Sequence, residues 1–195
     1  MQFGKSLRVR PRTNRRVDVA DHVPTVYLDA GLAFGSGTHP TTRLCLEWLE
    51  ANANRAPKSF LDYGCGSGIL ALAAVAMGNS GYAVDNDTQA IDSAVSNRDF
   101  NQIDAEKLSI LSVSDWQGKK NSLLGSFDFV IANIMMKTLI DLRAELIEAL
   151  KPDGTLVLSG ILVDQVAAVR SCFDGITFEE PVDKDGWIRL VGSLR

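Results

Sequence analysis

Hydrophobic and polar positions follow two periods along this chain, and the switches between them mark its elements. Short apolar runs recur at 60–61, 81–84, 108–113, 127–132 and 155–159, four of them closed directly by an acid, a glycine or an asparagine. Such runs read as strands buried on both faces. Between them, apolar positions recur at helical spacing over 69–74, 87–101, 136–151 and 163–173. Asp87 suits the N-cap of the second helix, with Ala90, Ile91, Ala94 and Val95 inward. Leu139, Leu142, Leu146 and Ile147 form the inner face of the third, which stops at Pro152-Asp153-Gly154. Val166, Val169 and Arg170 fall on the surface or flank of the last. The runs 176–178 and 187–191, separated by 183–186, predict a closing hairpin. Ahead of the first strand, 7–11 alternates apolar and basic residues, as in a short exposed strand, and 26–28 is a second extended piece. Five βα units and a terminal hairpin predict a doubly wound α/β domain with a seven-stranded sheet.

The turn after the first strand carries most of the chemistry. Residues 59–68 read Ser-Phe-Leu-Asp-Tyr-Gly-Cys-Gly-Ser-Gly, a strand that stops at an acid and turns through three alternate glycines. A strand, a glycine turn and a helix make the ligand corner of such a domain. Gly64, Gly66 and Gly68 let the backbone reach positive φ and approach a ligand closely, beside the free N–H groups of the next helix. The third glycine follows the first by four residues, whereas the dinucleotide fingerprint needs five. Asp62 suits an ammonium or ribose hydroxyls better than a pyrophosphate, because neighbouring anions repel. Asp85 ends the second strand at about the twenty-residue interval where an acid meets ribose hydroxyls. The set fits S-adenosylmethionine better than NAD.

Three further places join this corner. Residues 29–42 form a glycine-containing loop that feeds a helix, with Pro40 in its first turn and Leu44, Leu46, Trp48 and Leu49 as its apolar face. Thr38, Thr41 and Thr42 there either close over a ligand or cap the helix. Asp115, just after the third strand, either accepts from an adenine amino group with Trp116 flanking the ring, or belongs to a helix cap beside a core tryptophan. Asn133, at the carboxyl end of the fourth strand, lies at the mouth of the crevice. Its carbonyl can orient an amine while its NH₂ touches the ligand, which makes it the candidate for the reacting centre.

Composition narrows the function classes. The 195 residues, 46% hydrophobic, suffice for one full core and not for two large ones. The net charge of −4 argues against general nucleic-acid affinity, but the charge is unevenly spread. Lys5, Arg8, Arg10, Arg12, Arg15 and Arg16 precede the first acid, so the remainder has fourteen basic against twenty-four acidic residues. We read 1–27 as a basic arm or linker, or an ordered edge strand, with an anion or RNA contact as the sharper alternative, and 28–195 as the ligand-binding domain. Cys45, Cys65 and Cys172 are widely separated, and neither His22 nor His39 completes a metal-ligand spacing. No metal site, disulfide framework, secretion signal or membrane span is expected, which predicts a cytoplasmic protein.

The outline resembles a class I methyltransferase, Rossmann-like with helices on both faces of the sheet. More specifically, Leu28-Asp-Ala-Gly-Leu-Ala-Phe-Gly-Ser-Gly-Thr-His-Pro-Thr-Thr-Arg-Leu-Cys-Leu-Glu-Trp-Leu49, Asp62-Tyr-Gly-Cys-Gly-Ser-Gly-Ile-Leu-Ala71, Ala132-Asn-Ile134 and Leu158-Ser-Gly-Ile-Leu162 resemble the PrmA family. Those enzymes trimethylate amino groups on a large-subunit ribosomal protein, the eleventh in its series. The resemblance implies an S-adenosylmethionine-dependent protein methyltransferase with cofactor contacts at Thr42, Gly64, Asp85 and Asn133. The chain departs from the family pattern at Ser36, at Thr88 and at Met135-Met136-Lys137. Family members usually carry an N-terminal domain that grips the ribosomal protein, and this chain is expected to start just after it. A different protein or a small amine therefore stays open as acceptor, as does a cofactor-binding module without transfer. A nicotinamide enzyme is the remaining alternative, and the glycine spacing argues against it.

Overall fold

The computed structural model describes residues 1–4, 6–14, 23–29, 37–52 and 56–194, the side chain of Asn14 apart. Lys5, Arg15, Arg16 and residues 30–36, including Ser36, lie outside them. Three strands come first, β1 (Gln2–Phe3), β2 (Leu7–Pro11) and β3 (Thr25–Leu28), followed by α1 (Pro40–Ala51). Alternating units then run β4 (Ser59–Tyr63), α2 (Ile69–Ala76), β5 (Ser80–Asp85), α3 (Thr88–Phe100), β6 (Leu108–Ser112) and α4 (Val113–Lys119). The second half continues with β7 (Phe127–Asn133), α5 (Met136–Glu148), β8 (Leu150–Leu162) and α6 (Val166–Cys172). It closes on β9 (Ile176–Phe178), β10 (Val182–Lys184) and β11 (Trp187–Leu194).

The main sheet runs β10-β11-β8-β7-β4-β5-β6, with β9 as an eighth strand paired to β11. Strands β8, β7, β4, β5 and β6 are mutually parallel and β11 is antiparallel to β8. From β4 the chain steps outward to β5 and β6, then returns to place β7 on the other flank of β4. The order therefore reverses between β4 and β7, and the crevice at their carboxyl ends is where doubly wound sheets bind ligands. Asp62 pairs with Ile131, so Asn133, two residues further along β7, stands beside the start of the glycine turn.

Successive strand residues point to opposite faces, and the core divides accordingly. Phe60, Phe129, Ile131 and Val157 face α1 and α2, where Phe60 and Phe129 stack at 5.6 Å. Leu61, Val130, Ala132 and Leu158 face α4, α5 and α6. Helix α2 is apolar on nearly every side because it lies between the main sheet and the small one: Ile69 to Ala74 are all buried.

The main sheet has eight strands where seven were expected, and the structure differs from the sequence reading in four further places. Strand β2 forms, yet Leu7 and Val9 are buried, because the small sheet β1-β2-β3 shares its core with α2. The hairpin partner of β11 across the Asp185-Gly186 turn is β10, whereas β9 pairs with the far end of β11, Gly192 to Phe178. Val169 is fully buried rather than on the flank of α6. Finally, α5 ends at Glu148 and β8 begins at Leu150, ahead of the proline, with its register shifting between Phe127 and Phe129.

Candidate cofactor site at the sheet switch point

The glycine turn is pinned from both strands beside it. The amides of Gly64 and Cys65 donate to the Val84 carbonyl at 2.8 and 3.1 Å, and the Gly68 amide donates to Cys65 at 2.9 Å. Gly64, Gly66 and Gly68 take φ of 77°, 54° and 78°, the left-handed region that favours glycine. A Cβ on Gly64 would stand 2.3 Å from Cγ2 of Ile134, so the turn also packs directly against the residue after Asn133.

Asp85 is buried and its two oxygens accept different backbone amides, Gly66 at 2.8 Å and Asp87 at 3.0 Å. One carboxylate thus ties the turn to the start of α3, whose N-cap is Asp87, as expected from the sequence. Asp62 is fully buried, accepts from the Ala71 amide at 3.0 Å through Oδ2, and finds no partner for Oδ1 among the described residues. Burial pushes its carboxyl up to about 7, against the opposing pull of the Ala71 hydrogen bond. Desolvation thus favours the protonated form of Asp62 in the ligand-free chain, against the fixed carboxylate of the sequence reading. Burial likewise raises the Cys65 thiol well above its ordinary range and that of Cys45 up to about 12, which makes both inert packing groups.

Across the switch point, Nδ2 of Asn133 donates to Thr42 Oγ1 at 3.4 Å, a long contact that joins β7 to the first turn of α1. Thr41 and Thr42 are buried, whereas Thr38 is exposed. His39 caps α1 by accepting from the Thr41 amide, and its ring meets Trp187 edge-on at 4.9 Å. Asp115 lies past the end of β6, where the capping arrangement is the one observed. Ser112 caps α4 by accepting from the Asp115 amide, and its hydroxyl donates to the Asp115 carboxylate at 2.6 Å. Trp116 is buried against Phe127, with its indole N–H donating to Glu145, so it does not flank the crevice.

The structure therefore gathers Asp62, Gly64, Gly66, Gly68 and Asp85 on one side of the switch point and Asn133 with Thr42 on the other. Thr38 stands two residues before α1, and Asp115 lies in the first turn of α4. Sequence reasoning missed Asn97, which is fully buried and donates to the Ser67 carbonyl in the glycine turn at 2.9 Å. The positions 90, 94 and 97 share one helical face, and that spacing with Ala90 and Ala94 was the available signal. Among the described residues, no group of three or more His, Cys, Asp or Glu could hold a metal, and no helix is long and apolar enough to cross a membrane.

Sheet order and switch-point site together define the class I methyltransferase fold. The family model described as ribosomal protein L11 methyltransferase (PrmA) matches residues 1–195, and the chain belongs to that family. A ribosomal protein L11 methyltransferase of Methylococcus capsulatus is 43% identical over 200 residues, covering all of this chain and 64% of that protein. The namesake of Methylobacillus flagellatus is 45% identical over 172 residues, or 87% of this chain and 55% of that one. This chain thus spans less than two thirds of the length of these relatives. Among solved structures, a ribosomal protein L11 methylase from Lactobacillus delbrueckii superposes with a TM-score of 0.86 at 29% identity, covering all of this chain and 98% of that one. An O-methyltransferase from Bacillus cereus, solved in complex with SAH, shares the fold with a TM-score of 0.64 at 11% identity.

Proposed function

We propose that the chain is an S-adenosylmethionine-dependent N-methyltransferase of a protein amino group, with lysine or N-terminal amines of a large-subunit ribosomal protein as acceptor. The supporting observation is the convergence at one switch point of the three left-handed glycines, Asp85 and Asn133. The residues present fit the cofactor. We assign Asp85 to ribose hydroxyls, the glycine turn to close backbone approach, and the unpartnered Oδ1 of Asp62 to an ammonium. We assign Thr38 and Thr42, at the start of α1, to the cofactor side of the crevice; Asp115, engaged by Ser112 in the cap of α4, takes no part in this reading. Bound there, S-adenosylmethionine supplies a methyl group already activated by its sulfonium.

What remains for the protein is alignment. With its NH₂ turned to Thr42, the Asn133 carbonyl is the acceptor for the hydrogens of an incoming amine. A lysine ammonium has a reference pKa near 10.4, so it must first lose its proton, and desolvation at the crevice favours the neutral form. No general base is assigned; the proton goes to water. We place the protein in the cytoplasm. The ribosomal acceptor follows from the names of longer relatives, and a different protein or a small amine would use the same site.

Calorimetric titration of the purified chain tests this. S-adenosylhomocysteine should bind with micromolar affinity, about −8 kcal/mol, and NAD should not, and Asp85→Ala should abolish the signal. Labelled methyl transfer to a purified large-subunit protein fraction then identifies the acceptor; label confined to small amines would overturn the protein-substrate assignment.

A further inference from the structure

Three separate parts of the chain meet on one buried carboxamide. The Asn97 Nδ2 donates to the Ser67 carbonyl inside the glycine turn at 2.9 Å. Its Oδ1 accepts from the Asp29 amide at 2.9 Å, just past the end of β3, and from Arg12 Nη2 at 2.8 Å. Arg12 is held in turn by Ser96 at 3.1 Å and lies 4.8 Å over the Phe100 ring. The carbonyl of Ser67 can only accept and the amide of Asp29 can only donate, so the orientation of the carboxamide is fixed by its partners.

We propose that Asn97 is the positioning residue of the cofactor site, setting the glycine turn through Ser67 and joining it to Asp29, just past the end of β3, and to Arg12. The ligand part of this inference rests on the cofactor reading above; the positioning part does not. Asn97 makes no contact with reacting atoms. It acts through Ser67, whose neighbours Gly66 and Gly68 carry the amides bonded to Asp85 and Cys65.

The discriminating variant is Asn97→Asp. It keeps both acceptor contacts, adding a charge to the one with Arg12, and removes the donor, setting a carboxylate oxygen against the Ser67 carbonyl. A residue that merely anchors the front segment tolerates this change. In the ligand-free protein, residue-resolved hydrogen exchange at Gly66 and Gly68 should quicken by about tenfold or more, with β8 and β11 unchanged. Affinity for S-adenosylhomocysteine should fall by about tenfold. Unchanged exchange at the turn would overturn the proposal, and so would equal quickening throughout the sheet. Arg12→Gln, which leaves the Ser67 bond intact, is the second variant. It should leave Gly66 and Gly68 within about twofold of the native rate, and quickening there as large as in Asn97→Asp would assign the effect to the front segment instead. Quickened exchange in Asn97→Asp together with no ligand binding by the native chain would uphold the positioning role and reject the cofactor reading.

Discussion

Asp62 and Asn133 stand on adjacent strands and make opposite demands on the fold. Burial raises the Asp62 carboxyl from 3.8 to about 7, so the folded chain keeps a proton that the unfolded chain releases. The contribution of Asp62 to stability consequently falls as pH rises from about 4 and levels off above about 7, by at most about 1.4 kcal/mol per pH unit. Asp62→Asn removes this dependence. Urea unfolding of the ligand-free protein should show the variant gaining on the native chain across that window and holding a constant advantage above it; parallel curves would refute the assignment. Asn133 carries little of the fold, since its bond to Thr42 is long. Asn133→Ala should therefore unfold at nearly the native urea concentration while turnover drops by about 100-fold. Full turnover with unchanged cofactor affinity would remove Asn133 from the reacting centre.

Turns and caps decide how the elements present these residues. Gly64 and Gly78 both have positive φ, 77° and 89°, but only Gly64 would press a Cβ onto Ile134; at Gly78 nothing lies within 4 Å. Gly78→Ala should cost about 1–2 kcal/mol from its backbone conformation alone, and Gly64→Ala about 1–3 kcal/mol more from overpacking. Adding Ile134→Ala to the Gly64 variant should restore part of the difference, as read from denaturation midpoints. Absence of any difference between the two glycine variants would mean that the turn and β7 are not packed as described. At α4, Ser112→Ala removes the cap and should lower stability by about 1 kcal/mol, with no change in the packing of Trp116, which its burial and its bond to Glu145 secure. Two expectations from sequence fail at this scale for one reason. The pairing of β9 and the burial of Val169 depend on which neighbour arrives, and local pattern does not encode that.

For the molecule as a whole, the front segment is part of the folding unit. Phe3, Leu7, Val9, Val26 and Leu28 are all at most 3% exposed in the core shared with α2. At about 1.5–3 kcal/mol for each buried side chain, their joint loss rivals the whole stability of an ordinary domain, about 5–15 kcal/mol. A chain beginning at residue 29 should therefore fail to unfold cooperatively in urea; a sharp native-like transition would show that the small sheet is dispensable. The sequence by itself determined the order along the chain of the five parallel strands, the left-handed turn at Gly64, Gly66 and Gly68, the acid at Asp85 and the N-cap at Asp87. These follow from short-range physics, in which hydrophobic period and the steric freedom of glycine act within a few residues. The resemblance of its motifs also led to the family. Only the tertiary structure decided that Asp62 is buried, where desolvation favours its protonated form, and that Trp116 turns inward. It alone brought Asn97 to Ser67, Asp29 and Arg12, residues 30, 68 and 85 positions away. Desolvation and long-range hydrogen bonding depend on which distant segments close around a group, and neither is written in its neighbours along the chain.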